Sequence, residues 1–293
     1  MKYVITGSLG HISRPLSEKL IANGHDVTII TSAADKEEAI KKLGAQAAVG
    51  SVEDVQFLTD TFKGANAVYT MVPPKSDPVN WKEWIGNIGS NYAKAIKDAG
   101  VKYVVNLSSI GAHMPQGCGP VSGLYRVEAA LNALEDVNIK HLRPAYFYHN
   151  LLSQIGMIQH AGIMGGNFGE SPFPIVHPAD IADAAAEELL DLAFTGHSIR
   201  YIVGEETTGT RIAGTIGKAI NKPDLQWIVF TDEQNLEGAK QAGLNEEVAK
   251  NYTEMGSAIR TGEMSTEYNK NKPPFSKIKL DDFVKEFAKA FNA

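Results

Sequence analysis

The chain has 293 residues, of which 43% are hydrophobic and 21% charged, so it holds enough apolar material for one or two domains with a sizeable core. A net charge of −6 argues against general nucleic-acid binding through a basic face. Cys118 is the sole cysteine, which excludes an intrachain disulfide and favours a reducing compartment. With no signal peptide before the first strand and no apolar run long enough to span a bilayer, we expect a cytoplasmic protein without a membrane segment.

The N-terminal stretch has the order of elements that a dinucleotide site requires. A short apolar strand runs into Gly7, and the segment from Gly7 to Ile12 opens a helix. Gly7 permits a tight turn, Gly10 lets the main chain approach a pyrophosphate, and the helix N-terminus attracts the anion. An ordinary strand-to-helix turn is the simpler alternative. The pattern begins a strand–helix–strand unit, however, which favours the cofactor site.

Apolar strands then alternate with helices along the first half of the chain. Further strands are predicted at residues 27–30, 45–49, 67–72, 103–107 and 139–143, and helices at 35–43, 51–63, 81–99 and 121–134. A Ser51-Val52-Glu53-Asp54 capping box is expected to open the second of these helices. The alternation predicts an α/β fold, a doubly wound parallel sheet of the Rossmann type.

The C-terminal part is less regular. A helix should begin near Pro178 with Asp180 as its N-cap, and strands are expected at residues 199–203 and 226–230. We therefore expect residues 1–150 to form the NAD(P)-binding domain, with 175–203 returning to it. Residues 151–293 should form mostly a smaller, interleaved α+β lobe that binds substrate.

The end of the second strand bears on the choice of cofactor. An acidic residue there would accept hydrogen bonds from the ribose of NAD, whereas Thr31 and Ser32 are neutral. Asp26 precedes the strand and lies at the wrong end of the sheet. Lys36 could reach a 2′-phosphate, although an exposed helix lysine is the commoner situation. These residues favour NADP, with NAD possible.

Five landmarks in order resemble the NmrA-like family of atypical short-chain dehydrogenases/reductases. They cover about two-thirds of the chain and are Thr6–Ile12, Asn106–Ser109, Glu128–Leu131, Leu142–Asn150 and Pro178–Ala182.

The resemblance implies a nicotinamide dinucleotide and a position for each residue around it. The pyrophosphate would lie on Gly7, Ser8, Leu9, Gly10, His11 and Ile12. Thr31 and Ser32 would meet the adenosine ribose, Val72 and Pro73 the middle of the cofactor, and Ala145 and Tyr146 its nicotinamide end. His11 departs from the glutamine or asparagine that is common in the family.

The Tyr-x-x-x-Lys pair of better-known superfamily members is missing from the sequence. The equivalent positions are Pro120 and Leu124, so alcohol–ketone interconversion by that route is not expected. The catalytic residue is left unassigned, and no metal-ligand spacing occurs. His113 is either a proton donor or a solvated loop histidine.

Pro74, Phe147 and Tyr148 are expected to border the substrate. The prolines after the fourth strand would give a stiff apolar wall, and the flat aromatic rings suit a quinone stacked on the nicotinamide. Core packing is the alternative for each aromatic residue. The sequence thus predicts an NAD(P)H-dependent oxidoreductase that reduces a small quinone- or azo-like acceptor. A non-catalytic NAD(P) redox sensor with a protein partner is the alternative, and an isomerase or epimerase is a weaker option.

Overall fold

A computed structural model describes residues 1–75 and 77–293. Its strands, in chain order, are β1 (Lys2–Ile5), β2 (Asp26–Thr31), β3 (Gln46–Val49), β4 (Ala67–Thr70), β5 (Tyr103–Leu107), β6 (Asn138–Pro144), β7 (Tyr146–Phe147), β8 (Met164–Gly166), β9 (Phe173–Val176), β10 (His197–Ile202), β11 (Glu205–Thr207) and β12 (Trp227–Val229). The helices are α1 (Ser13–Ala22), α2 (Glu37–Lys42), α3 (Val55–Phe62), α4 (Trp81–Ala99), α5 (Val121–Asn132), α6 (Ile155–Ala161), α7 (Pro178–Asp191), α8 (Gly209–Ala219), α9 (Asp232–Gln241), α10 (Glu246–Thr261), α11 (Thr266–Lys270) and α12 (Leu280–Phe291).

Seven parallel strands form the central sheet in the order β10-β6-β5-β4-β1-β2-β3. The predicted doubly wound parallel sheet is confirmed. The strand order reverses direction between β1 and β4, so the loops leaving these two strands border a crevice at the carboxyl edge. The apolar strands are buried by helices on both faces, as a parallel sheet requires.

The C-terminal part contributes both to this sheet and to a second core. The strand β10 pairs with β6 along the outer edge, and α7 packs against α1. Two small sheets, β11-β9-β7 and β12-β8, lie outside the central one. A separate apolar cluster that includes Tyr148, Ile212 and Phe283 joins α8 and α12. The division into two domains stays a prediction.

Local boundaries differ from expectation where short polar side chains decide them. The capping-box prediction at Ser51 is wrong, because α3 begins at Val55 and the Asp54 carboxylate caps it by accepting from the Phe57 N–H. The Ser51 hydroxyl instead accepts from the Glu53 N–H in the preceding turn. The helix predicted at 35–43 divides into a 3₁₀ turn at Ala34–Lys36 and α2.

None of the helices in the described residues combines the length and apolar composition that a membrane crossing needs.

Cys118 is fully buried, and burial raises the pKa of its thiol to about 12. The thiol therefore stays protonated and packs as a small apolar side chain.

Candidate active site

The turn between β1 and α1 is shaped for a close approach to its main chain. Gly7 has a φ of +94°, and a Cβ built there would lie 2.4 Å from the Ser13 Oγ. A Cβ at Gly10 would lie 3.0 Å from the Gly7 carbonyl oxygen. Among the described residues, no side chain caps the N-terminus of α1, where Ile12 is the N-cap. The turn thus offers backbone donors and the positive end of a helix, which fits a pyrophosphate.

A hydroxyl pair fixes the second residue of this turn. Ser8 has a positive φ of 55°, which is uncommon for a residue other than glycine. Its N–H donates to the Ile30 carbonyl, and its hydroxyl donates to the Thr31 Oγ1 at 2.9 Å. The Thr31 Oγ1 also accepts from the Ala33 N–H at 3.2 Å. The turn is thereby tied to the carboxyl end of β2.

The Thr31 side chain therefore faces the Gly7 turn rather than the adenosine ribose that the sequence predicted. Its side chain is buried and engaged by Ser8 and Ala33, so its hydroxyl does not face a ribose at the surface. Ser32 is exposed immediately beyond it, as is Lys36 in the 3₁₀ turn. Asp26 pairs with Lys2 at the amino end of the sheet, far from the crevice.

A cavity of about 310 Å³ opens beside the turn, where the β4 loop leaves the sheet. A Cβ at Gly7 would lie 3.0 Å from the Met71 Cγ, so the turn and this loop are in contact. The Tyr92 hydroxyl donates to the Met71 carbonyl at 2.7 Å and fixes the course of the loop. Six of the residues predicted for the cofactor or the substrate line the cavity: Val72, Pro73, Pro74, Ala145, Tyr146 and Phe147.

Further cavity residues were missed by sequence reasoning. Trp81 and Ile85 come from α4, whereas Met255 comes from α10 and Met264 from the short turn after it. These four apolar side chains carry no motif, and Met264 lies 190 residues after Pro74 along the chain. Only the folded chain brings them to one cavity.

The two serine hydroxyls of the cavity donate their protons to acceptors within the protein. The Ser108 hydroxyl donates to Glu128, and the Ser109 hydroxyl donates to the Ile110 carbonyl at 2.8 Å. Both serines line the cavity, as do Tyr146 and Asn150. Burial raises the pKa of the Tyr146 phenol, so it stays protonated near neutral pH and keeps a proton to donate in a hydrogen bond.

A buried ion pair supports this wall from behind. The Arg143 Nη2 lies 2.6 Å from the Glu128 Oε2, and its Nε donates to Oε1 at 2.9 Å. Both side chains are less than a tenth exposed. This explains three of the sequence landmarks together, because Ser108, Glu128 and Arg143 form one hydrogen-bonded unit.

The prediction that Tyr148 borders the substrate does not hold. Its ring is fully buried and stacks on Phe283 at a centroid distance of 5.3 Å. Its hydroxyl donates to the Glu205 carboxylate at 2.6 Å. The chain enters a 3₁₀ helix at this residue, so Tyr148 turns away from Tyr146 and Phe147 into the second core.

The other histidine and aspartate candidates have structural positions. The N-cap of α7 is His177, whose Nδ1 accepts from the Ala179 N–H, so the assignment of this cap to Asp180 is wrong. The Asp180 carboxylate instead accepts from the Ser276 hydroxyl and the Ile278 N–H. His113 does not line the cavity, and burial lowers its pKa.

A larger cavity, of about 770 Å³, lies between α7, β10 and residues 271–277. It is lined by acidic and basic side chains together, among them Glu187 and Arg200, which pair with each other at 2.6 Å. No residue of the Gly7–Ile12 turn lines either cavity, but Met71 of the smaller cavity lies against Gly7. Across residues 1–75 and 77–293, no group of three or more acidic, histidine or cysteine side chains is placed to hold a metal ion. The smaller cavity is therefore the candidate active site.

Comparison with known families supports the interpretation of the turn. Residues 7–148 match the model of a protein family described as NAD(P)H-binding. This stretch is an NAD(P)H-binding domain. A (4-alkanoyl-5-oxo-2,5-dihydrofuran-3-yl)methyl phosphate reductase of Streptomyces griseus is 22% identical over 220 residues, which cover 75% of this chain and 74% of that protein.

Solved structures share the fold over nearly the whole chain. An NADPH-dependent quinone oxidoreductase of Escherichia coli, in complex with NADPH, has a TM-score of 0.82 at 19% identity, covering 97% of this chain and 99% of its own. The Citrobacter sp. triphenylmethane reductase complexed with NADP(H) has a TM-score of 0.79 at 20% identity, covering 98% and 100%. A nucleoside-diphosphate-sugar epimerase of Staphylococcus aureus reaches 0.81 at 14% identity, covering 97% and 99%. The family match confirms the predicted NAD(P)H-binding domain, and these structures share the predicted fold.

Proposed function

We propose that the protein is an NADPH-dependent reductase that transfers a hydride to a small, planar, conjugated acceptor such as a quinone or an azo compound. The observation that carries the proposal is the apolar cavity of about 310 Å³ directly beside the Gly7 turn. A cofactor with its pyrophosphate on that turn would extend its nicotinamide towards Ala145 and Tyr146. NADPH, when bound, supplies the hydride.

The lining of the cavity supports an uncharged acceptor. Among the described lining residues there is no lysine, arginine, histidine, aspartate or glutamate. A charged substrate would lose its hydration there without gaining a partner, which is costly. The phosphate-bearing substrate in the name of the Streptomyces relative is therefore a poor model for this protein, whereas the flat Phe147 and Trp81 rings suit a neutral aromatic acceptor.

The residues of this chain would bind and orient rather than exchange protons. Ser108 and Ser109 already donate their protons to internal acceptors, and Pro120 and Leu124, which the sequence predicts to occupy the Tyr and Lys positions, line the cavity as apolar side chains. Tyr146 and Asn150 would hold the acceptor oxygen by hydrogen bonds. A reduced quinone oxygen can then take its proton from water, so the reaction requires no general acid from the protein.

Two features favour NADPH over NADH. The end of β2 carries the neutral Thr31 and Ser32 instead of an acidic residue, and the exposed Lys36 follows them in the 3₁₀ turn. The similar solved structures that carry NADPH or NADP(H) favour the same cofactor.

The proposal is tested by following the loss of nicotinamide absorbance for NADPH and NADH with a panel of quinones, azo dyes and triphenylmethane dyes.

Cofactor fluorescence measured beforehand would separate binding from turnover. Turnover of a neutral planar acceptor with NADPH is the expected result. Tight dinucleotide binding with no turnover across the panel would contradict the reductase and favour a redox sensor. Such a sensor must bind the oxidised and reduced cofactor with different affinities, because a ligand shifts a conformation only through differential binding.

A further inference from the structure

Two histidines from distant parts of the chain meet at the pyrophosphate turn. The rings of His11 and His149 have centroids 3.8 Å apart and planes inclined by 45°. His11 belongs to the turn and is exposed, whereas His149 lies in the 3₁₀ helix that follows β7 and is partly buried. Because His149 immediately precedes Asn150 of the cavity wall, the pair connects the turn with that wall.

The surroundings of His149 disfavour a positive charge on its ring in the free protein. Burial, followed by the proximity of His11 and then of His177, lowers the pKa of His149, and only Glu286 opposes these effects. The Nε2 of His177, at the start of α7, lies 3.2 Å from the Glu286 Oε1. The Glu286 carboxylate is therefore shared between His177 and His149. Two imidazoles in contact cannot both be protonated without repulsion.

A dinucleotide on the turn would reverse this balance. The pyrophosphate carries two negative charges, and it would lie on residues 7–12, of which His11 is one. An anion near an imidazole favours its protonated form, and a charge-assisted hydrogen bond to phosphate is stronger than a neutral one. The free energy of protonating the pair therefore becomes more favourable when the cofactor is present.

We propose that His11 and His149 act together as a proton-coupled clamp on the cofactor pyrophosphate, taking up a proton from solvent when the dinucleotide binds. The inference depends on the proposed cofactor site and adds His149, which no cofactor motif includes. Affinity for the dinucleotide then rises as the pH falls. For uptake of one proton the dissociation constant changes by at most about tenfold per pH unit.

The test is calorimetric titration of the full chain with NADP⁺ at pH 7 in two buffers of different ionisation enthalpy, together with dissociation constants from pH 6 to 8. We expect net proton uptake and weaker binding at higher pH in the wild type. His11→Gln and His149→Gln should each lower the uptake and flatten the pH dependence. The control is His160→Gln, which removes an exposed histidine at the end of α6 and should change neither.

The 2′-phosphate of NADP⁺ titrates near pH 6 and adds its own pH dependence. That contribution remains in the glutamine variants, so the difference between wild type and variant isolates the pair. Proton exchange on binding that is the same in the wild type and both variants, or an affinity loss that is equal at pH 6 and pH 8, would each overturn the clamp while leaving the cofactor site intact. Absence of dinucleotide binding by the folded wild type at every pH would instead overturn the proposed function itself.

Discussion

The candidate site has a cofactor half formed by backbone groups and an acceptor half formed by side chains. The cofactor half is a run of six consecutive residues, Gly7–Ile12, whose useful groups are backbone atoms and the end of α1. The acceptor half is a cavity of side chains from seven separate segments between Met71 and Met264. A local turn can be recognised from its glycines, whereas a cavity assembled over such a span has no local pattern. The comparison predicts that changes in one half leave the other half's ligand largely unaffected.

The largest expected effect concerns the buried pair behind the acceptor cavity. Arg143→Met leaves Glu128 as an unpaired buried charge and should reduce the free energy of unfolding by about 3–5 kcal/mol. Urea denaturation measures this change. The double variant Glu128→Leu/Arg143→Met is the control, because removing both charges should restore much of the loss. A double variant as unstable as the single one would show that the pair itself, rather than the stranded charge, stabilises this half.

The next effect concerns a polar chain across the sheet beneath the cavity. His141 is buried between Asn106 and Asn132, and burial lowers its pKa to about 4 from the usual 6.5. Its contribution to stability is complete above pH 6.5 and is lost as the pH falls towards 4, because the folded state resists protonation. The loss amounts to at most about 3 kcal/mol.

Unfolding free energies measured from pH 7 to 4 should therefore show a steeper decline for the wild type than for His141→Gln. Other groups titrate in both proteins, so the difference between the two curves reports His141. Parallel curves would mean that His141 is protonated as easily in the folded chain as in the unfolded one.

Sequence reasoning predicted local features of the fold but not these two side-chain networks. The strands, their parallel order and the Gly7 turn could be predicted, because alternating apolar segments and glycine spacing are local properties. Ser108, Glu128 and Arg143 each belong to a sequence landmark, but nothing in the landmarks predicts the hydrogen-bonded unit that joins them. Tyr148 was misplaced because a change from β7 to a 3₁₀ helix reverses a side chain's direction without any signal in composition.

Gly7→Ala tests the cofactor half directly. The new Cβ would meet the Ser13 Oγ, and alanine is strained at a φ of +94°. Relief of this strain, which costs about 1–3 kcal/mol, would move the turn away from the conformation that holds the pyrophosphate, so affinity for NADPH should fall by about tenfold to a hundredfold. Cofactor fluorescence gives the dissociation constant. The control is Gly214→Ala in α8, where a Cβ meets nothing within 4 Å. Undiminished NADPH affinity in Gly7→Ala would show that the turn is not the pyrophosphate site.

Phe147→Ala tests the acceptor half. Loss of an aromatic wall should raise KM for a quinone by about fivefold, since a stacking contact contributes roughly 1 kcal/mol, while the NADPH dissociation constant stays unchanged. Steady-state kinetics and cofactor fluorescence measure the two quantities. Phe275→Ala is the control, because Phe275 is an exposed ring beside the larger cavity. A loss of NADPH affinity equal to the loss of acceptor affinity would break the separation of the two halves.

Thr31→Val has the smallest expected effect, and it tests whether the cofactor half depends on backbone groups rather than on side chains. Valine keeps the buried shape but removes the acceptor of the Ser8 hydroxyl and the Ala33 N–H, whereas Thr31→Ser keeps the hydroxyl and serves as the control. Because the pyrophosphate would be held by backbone groups that Ser8 only positions, NADPH affinity should fall about twofold to threefold, which corresponds to roughly 0.5 kcal/mol. If fluorescence titration instead shows a loss as large as that of Gly7→Ala, the cofactor half depends on side chains as much as the acceptor half does.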